Sequence, residues 1–196
     1  MVRRLRDIDI LLVCTANQCR SPMGEALLRA HLRASGIPAT VGSAGLLQGG
    51  VPATREAVDE MAAWGLDISG HRSRRLSREL VASTPLVIGM ARRHVREAVV
   101  TYGARIERTF TLKELVRRGE KVGPRGTREP VSSWLARVGV GRVVSDLMGE
   151  DQNDDVADPI GRPPAVYEAT AVELDDLTSR FVGLLVGSTV PAPRSY

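Results

Sequence analysis

The chain of 196 residues carries 27 Lys and Arg against 23 Asp and Glu, with 43% hydrophobic and 26% charged residues, two cysteines and three histidines. These ordinary globular values exclude a disordered chain; two cysteines exclude a disulfide framework, and three scattered histidines leave no pattern for a metal site, so no metal or cofactor is expected. No apolar run approaches the roughly 18 residues of a spanning helix, and the opening MVRRLRDID lacks the apolar middle of a secretion signal, so the expected location is cytoplasmic, with no membrane partner.

The run IDILLVC, Ile8 to Cys14, is short and almost continuously apolar, as a strand buried on both faces of a parallel sheet must be. In SPMGEALLRAHLRASG the apolar residues change to helical spacing. Ser21 is expected to cap this helix, Pro22 to occupy its first position and Gly36 to stop it. ATVGSAG reads as a second strand, PATREAVDEMAAWG as a helix, TPLVIGMA as a third strand and ARRHVREAVVTYG as a helix. ARIERTF then reads as a short strand and TLKELVRRG as a helix. Arginine-rich HRSRRLSR and ARRHVR are read as solvated faces, and 4% aromatic residues give little material for stacking bases, so no nucleic-acid partner is expected.

From Glu120 to Asp155 the text is rich in Gly, Arg and Asp. Short helices are expected at VSSWLARV and VVSDLMG, no strand, and an exposed loop at EDQNDD. A long helix should close the chain from Pro163 to about Val186, with Tyr167, Leu174, Leu177, Phe181 and Leu184 near one face, followed by a disordered tail over 188–196. The expected class is α/β: three layers, a four-stranded parallel sheet flanked by helices on both faces. The expected organisation is one domain over 1–187 with an insertion at about 120–155, to which the sequence assigns no partner.

Ligands of parallel sheets sit at the carboxyl ends of strands, where the loop entering the next helix aims free amides outward. Cys14 lies at that point. The helix terminus and Arg20 both favour a negatively charged sulfur, the nucleophilic form. The loop Thr15, Ala16, Asn17, Gln18 and Cys19, closing on Arg20, can wrap its amides around a tetrahedral oxyanion while the guanidinium grips two oxygens as a fork. Asn17 is the loop residue best suited to a left-handed conformation, and its side chain can tie the loop shut through hydroxyl partners. Asp158, before Pro159, is a candidate proton donor and equally a turn former. Cys19 is either loop filler or a redox partner of Cys14.

VCTANQCRSPMGEALL resembles the signature of the low-molecular-weight protein tyrosine phosphatases: a cysteine, five residues, then Arg-Ser-Pro. SAG (Ser43 to Gly45), GLDISGHRSRRL, RTFTLKEL and ADPIGRPPAVYEAT are similar to further stretches of that family, so the likeness spans about Ile8 to Val186. It implies a four-stranded parallel sheet, phosphorylated protein as partner, and hydrolysis through a phosphocysteine. Asp158 would protonate the leaving group and then deprotonate water. Asn17, Ser21, Ser43 and His71 would form a supporting network in which Ser21 also stabilises the leaving thiolate. Cys19 would pair with Cys14 under oxidants.

Three positions depart from that pattern. Ala16 stands where the family usually has glycine, and its methyl is expected to strain the loop or crowd the phosphate. Ile160 stands where an aromatic often follows Asp-Pro, and GLLQGGVP lacks the aromatic of the opposite wall. Gln18, where relatives set substrate choice, matches neither an apolar residue nor a small hydroxyl. Phosphotyrosine and phosphoarginine therefore both stay open. An arsenate reductase of similar fold would need further cysteines, and none follows Cys19. A cradle that holds a phosphate or a protein partner without turnover is the other alternative; the set Cys14, Arg20 and Asp158 argues against it.

Overall fold

The computed structural model describes residues 8–187; the tail expected over 188–196 lies outside them. Strands β1 (Ile8–Cys14), β2 (Ala39–Gly45), β3 (Leu86–Gly89) and β4 (Thr109–Thr111) form one parallel sheet in the order β2-β1-β3-β4. Between them run α1 (Arg20–Ala34), α2 (Arg55–Ala63), α3 (Arg78–Ser83) and α4 (Arg92–Val100), and after β4 come α5 (Leu112–Val122), α6 (Val131–Val138) and α7 (Pro164–Val186).

The alternation of β1 explains the three layers. Ile10, Leu12 and Cys14 join a large core with Met23 and Leu28 of α1, Met61 of α2, Leu115 of α5, Trp134 of α6 and Phe181 of α7. Leu11 and Val13 face the other way, into a smaller core with Val81 of α3 and Ala98 of α4. Both faces are therefore dry, and only a continuous apolar run satisfies that demand. The chain leaves β1 toward β2 on one side and returns to β3 on the other, so strand order reverses at the carboxyl end of β1, where a crevice opens.

Four expectations need correction. Helix α1 starts at Arg20 with Cys19 as its N-cap and no capping side chain, so Ser21 does not cap and Pro22 is not its first residue. The run ARIERTF forms a 3-10 turn at Ile106–Arg108 before β4 begins at Thr109. Helix α3, capped by Ser77, lies in a stretch without a helical reading. EDQNDD is not wholly exposed, because Asp154 is buried. The helix at 131–138 and a 3-10 turn at Val144–Leu147 stand where short helices were expected.

Candidate active site

Cys14 ends β1, and its sulfur sits under donors. The Asn17 amide donates to Sγ at 3.2 Å, and Ser21 Oγ lies 3.0 Å from it. The network behind Ser21 is ordered by hydrogen bonds of known direction. The Arg74 amide donates to Asn17 Oδ1 at 2.9 Å, which orients the side-chain amide, so Nδ2 donates to Ser21 Oγ at 2.9 Å and to Ser43 Oγ at 2.8 Å. Ser43 Oγ in turn donates to the Glu25 carboxylate at 2.6 Å. Ser21 Oγ, already accepting from Asn17, has two acceptors for its one proton: the Cys14 sulfur at 3.0 Å and the Ala44 carbonyl at 3.5 Å.

The fully buried Asn17 is the one non-glycine residue with positive φ among the described residues, at 57°, in the left-handed region that asparagine tolerates. His71 reaches its carbonyl at 2.8 Å through Nε2. Asn17, Ser21, Ser43 and His71 thus stand together, His71 on the backbone of Asn17. Gly45 closes the arrangement from β2: a Cβ there would lie 2.8 Å from the Asn17 amide and from the Thr15 carbonyl, so only glycine lets the strand end approach the loop. Ala16 is outside the left-handed region, so the strain expected of its methyl does not arise.

Arg20, 3% exposed, starts α1 and turns its guanidinium along the loop. Nη1 donates to the Val156 carbonyl at 3.1 Å, Nη2 pairs with the Asp158 carboxylate, and the buried Nε has no partner among the described residues. Asp158 is about one-third exposed and accepts from the Ile160 amide at 3.4 Å. A cavity of about 180 Å³ opens above Cys14, floored by Thr15, Ala16 and Gln18 and walled by Leu47 and Ile160, both half-exposed. Its walls are aliphatic.

Cys19 lines the same cavity, and its thiol has hydroxyl neighbours of its own. Both cysteines are free, and Cys19 Sγ lies 3.4 Å from Thr54 Oγ1 and 3.6 Å from Tyr167 Oη. Burial pushes the Cys19 thiol up, so it stays protonated, and burial likewise raises the Tyr167 hydroxyl to about 12.

Two further residues of the site carry no signal in the sequence, where ARRHVR reads as a solvated face. Arg93 Nη2 donates to Thr15 Oγ1 at 3.1 Å and stands 3.6 Å from the Asp158 carboxylate. His94, fully buried, accepts from Arg93 Nε at 3.3 Å and meets Thr15 Oγ1 at 3.0 Å, both through Nε2, while its Nδ1 has no partner among the described residues. No spacing rule joins positions nearly eighty residues apart.

Burial, then the charges of Arg20 and Arg93, lower His94 from 6.5 to about 2. Unfolding lets the ring take up a proton below pH 6.5 that the folded protein refuses, so stability from this group is complete above pH 6.5 and declines as pH falls from there toward 2. The expected slope is on the order of 1 kcal/mol per pH unit. Denaturant melts between pH 7 and pH 5 of the wild type and of His94→Gln check this: the variant should show the shallower decline.

A family model described as low molecular weight phosphotyrosine protein phosphatase matches residues 9–125. The chain belongs to the low-molecular-weight protein tyrosine phosphatase family. A protein-arginine-phosphatase of Bacillus subtilis is 30% identical over 171 residues, covering 87% of this chain and 91% of that protein. A probable low-molecular-weight protein-tyrosine-phosphatase of Ralstonia solanacearum, EpsP, is 39% identical over 106 residues, 54% of this chain and 71% of its own. The crystal structure of a low-molecular-weight protein tyrosine phosphatase from T. tengcongensis superposes with a TM-score of 0.68 at 33% identity, covering 91% of this chain and all of that one. The parallel four-stranded sheet of this low-molecular-weight phosphatase thus agrees with those of its solved relatives, and among its described residues no helix is long and apolar enough to cross a membrane.

Proposed function

We propose that the protein is a cysteine-dependent phosphatase that hydrolyses phosphorylated protein side chains, phosphotyrosine first among them, through a phosphocysteine. The observation that carries this reading is the Asn17 amide donating to the Cys14 sulfur at 3.2 Å, with the Ser21 hydroxyl 3.0 Å from the same atom. Donors aimed at sulfur stabilise it as an anion, both as attacking group and as leaving group.

In the first step the Cys14 thiolate forms an S–P bond as the P–O bond to the substrate breaks. Arg20 and the amides of Thr15 to Arg20 hold the equatorial oxygens, and Asp158 gives its proton to the departing oxygen. In the second step the Asp158 carboxylate takes a proton from water, the water oxygen bonds to phosphorus and the S–P bond breaks, with Ser21 donating to the returning thiolate. Phosphate oxygens and the Asp158 carboxylate compete for Arg20 Nη2, so substrate releases Asp158 for proton transfer. Free buried thiols suit a reducing compartment and support a cytoplasmic setting for the reaction.

A second substrate reading has its own support. Leu47 and Ile160 give the cavity aliphatic walls that offer no ring to stack on a phosphotyrosine, and the Bacillus subtilis relative is named an arginine phosphatase. Phosphate release from phosphotyrosyl and phosphoarginyl peptides of matched sequence separates the two. Faster release from the phosphotyrosyl peptide is expected; release from the phosphoarginyl peptide alone would move the protein to the other class.

A further inference from the structure

From Met148 to Pro163 the chain contains neither helix nor strand, yet it must hold Asp158 over Cys14. Asp158 itself meets Arg20, the Ile160 amide at 3.4 Å and, more loosely, Arg93 at 3.6 Å. The first of these is also claimed by the phosphate in the reaction proposed above. Once Arg20 turns to the phosphate, what still fixes the loop is the longer Arg93 contact and the bonds that lie upstream.

That upstream fixing is an ion-pair clamp. The Asp154 carboxylate, 6% exposed, takes Arg92 Nε and Nη2 at 2.7 Å on one oxygen and Arg117 Nη2 at 2.7 Å on the other. Asp151 adds a bond to Arg92 Nη2 at 2.8 Å, and the Arg92 amide donates to the Asp155 carboxylate at 2.7 Å. The Asp151 carbonyl receives the amides of Asp154 and Asp155, and the Val156 amide extends this order to the Met90 carbonyl at 2.8 Å. Burial by itself would raise the Asp154 carboxyl, but Arg117 and Arg92 outweigh it and hold the group below its ordinary value, so the clamp stays charged. Arg92 opens α4, next to the Arg93 that touches Thr15 and approaches Asp158, so one helical turn holds both the phosphate loop and the acid loop.

We propose that Arg92 and Asp154 are positioning residues for proton transfer: the clamp joining α4 and α5 to the segment before Asp158 sets where that carboxyl stands when Arg20 is engaged with phosphate. The proposal rests on Asp158 being the proton donor. It gives the acidic end of segment 120–155 a task in turnover, although none of its side chains touches the reacting atoms.

The test compares kcat/KM for an aryl phosphate with a poor leaving group, phenyl phosphate, and one with a good leaving group, dinitrophenyl phosphate. Wild type, Arg92→Met, Arg92→Lys, Arg117→Gln and Asp158→Ala are measured, with a thermal melt of each. For Arg92→Met the poor substrate should lose about 10- to 100-fold and the good one about twofold or less, the pattern of a misplaced proton donor. Arg92→Lys should recover part of the loss by keeping one charge on Asp154. Arg117→Gln, at a half-exposed partner of the same carboxylate, should show a smaller loss of the same selectivity and serves where Arg92→Met does not fold. Equal losses on both substrates, or none, in Arg92→Met and Arg117→Gln while Asp158→Ala stays selective would overturn the clamp and leave the acid in place. An unselective Asp158→Ala would remove the acid, and the clamp with it.

Discussion

Cys14→Ser is expected to abolish hydrolysis, with a fall on the order of 10,000-fold or more, the scale seen when an enzyme's nucleophile is removed. The substitution exchanges one small atom for another, so packing in the buried cradle changes little. What changes is the proton. Of the groups that meet the sulfur, the Asn17 amide at 3.2 Å can only donate, and the Ser21 hydroxyl at 3.0 Å is no base. A serine hydroxyl there would face donors and no base to take its hydrogen, whereas a thiolate arrives without one. The cradle itself would survive, because Arg20 and the loop amides do not depend on sulfur. Cys14→Ser should therefore still bind vanadate or inorganic phosphate, read by tryptophan fluorescence or calorimetry, and should melt close to the wild type. Loss of both turnover and anion binding would point to a collapsed loop.

Asp158→Ala should slow a substrate with a poor leaving group by roughly 100- to 10,000-fold and leave a good one far less affected, because the proton is needed where the departing oxygen is most basic. A second consequence follows from the ion pair. Asp158 holds Arg20 Nη2, so removing the carboxylate frees a guanidinium that the phosphate must otherwise win. Inorganic phosphate should then inhibit Asp158→Ala more strongly than the wild type, even as turnover falls. Steady-state kinetics on a series of aryl phosphates, with phosphate as inhibitor, reads both effects. A uniform loss across the series with unchanged inhibition would contradict the assigned role.

Much of the site was legible because its residues lie close together in the chain. Cys14, Asn17 and Arg20 fall within one strand-to-helix connection, where period, turn chemistry and charge point the same way. The left-handed Asn17 follows from the same local rules. Ser21 shows where they stop: a serine near a helix start suggests a cap, but here the sulfur and the Asn17 amide use its hydroxyl, and Cys19 takes the cap position. The remaining supports are long-range. Arg93 and His94 touch Thr15 from α4, and Arg92 meets Asp154 across some sixty positions. A basic run and an acidic run each read as solvated when taken alone, and only the fold that brings them together reveals a part-buried pair. The strand after Ala104 was misplaced for a local reason, since Ile106–Arg108 closes a 3-10 turn that spacing alone does not separate from the start of a strand.

The most direct test is to catch the intermediate. Asp158→Ala should form the phosphocysteine from a substrate with a good leaving group faster than water can remove it, since the same carboxyl is needed as base in the second step. Acid quench during turnover, followed by peptide mass mapping, should place one phosphate on the peptide containing Cys14, bonded through its sulfur. Continued turnover with no phosphate on Cys14, or with phosphate on another residue, would contradict the account.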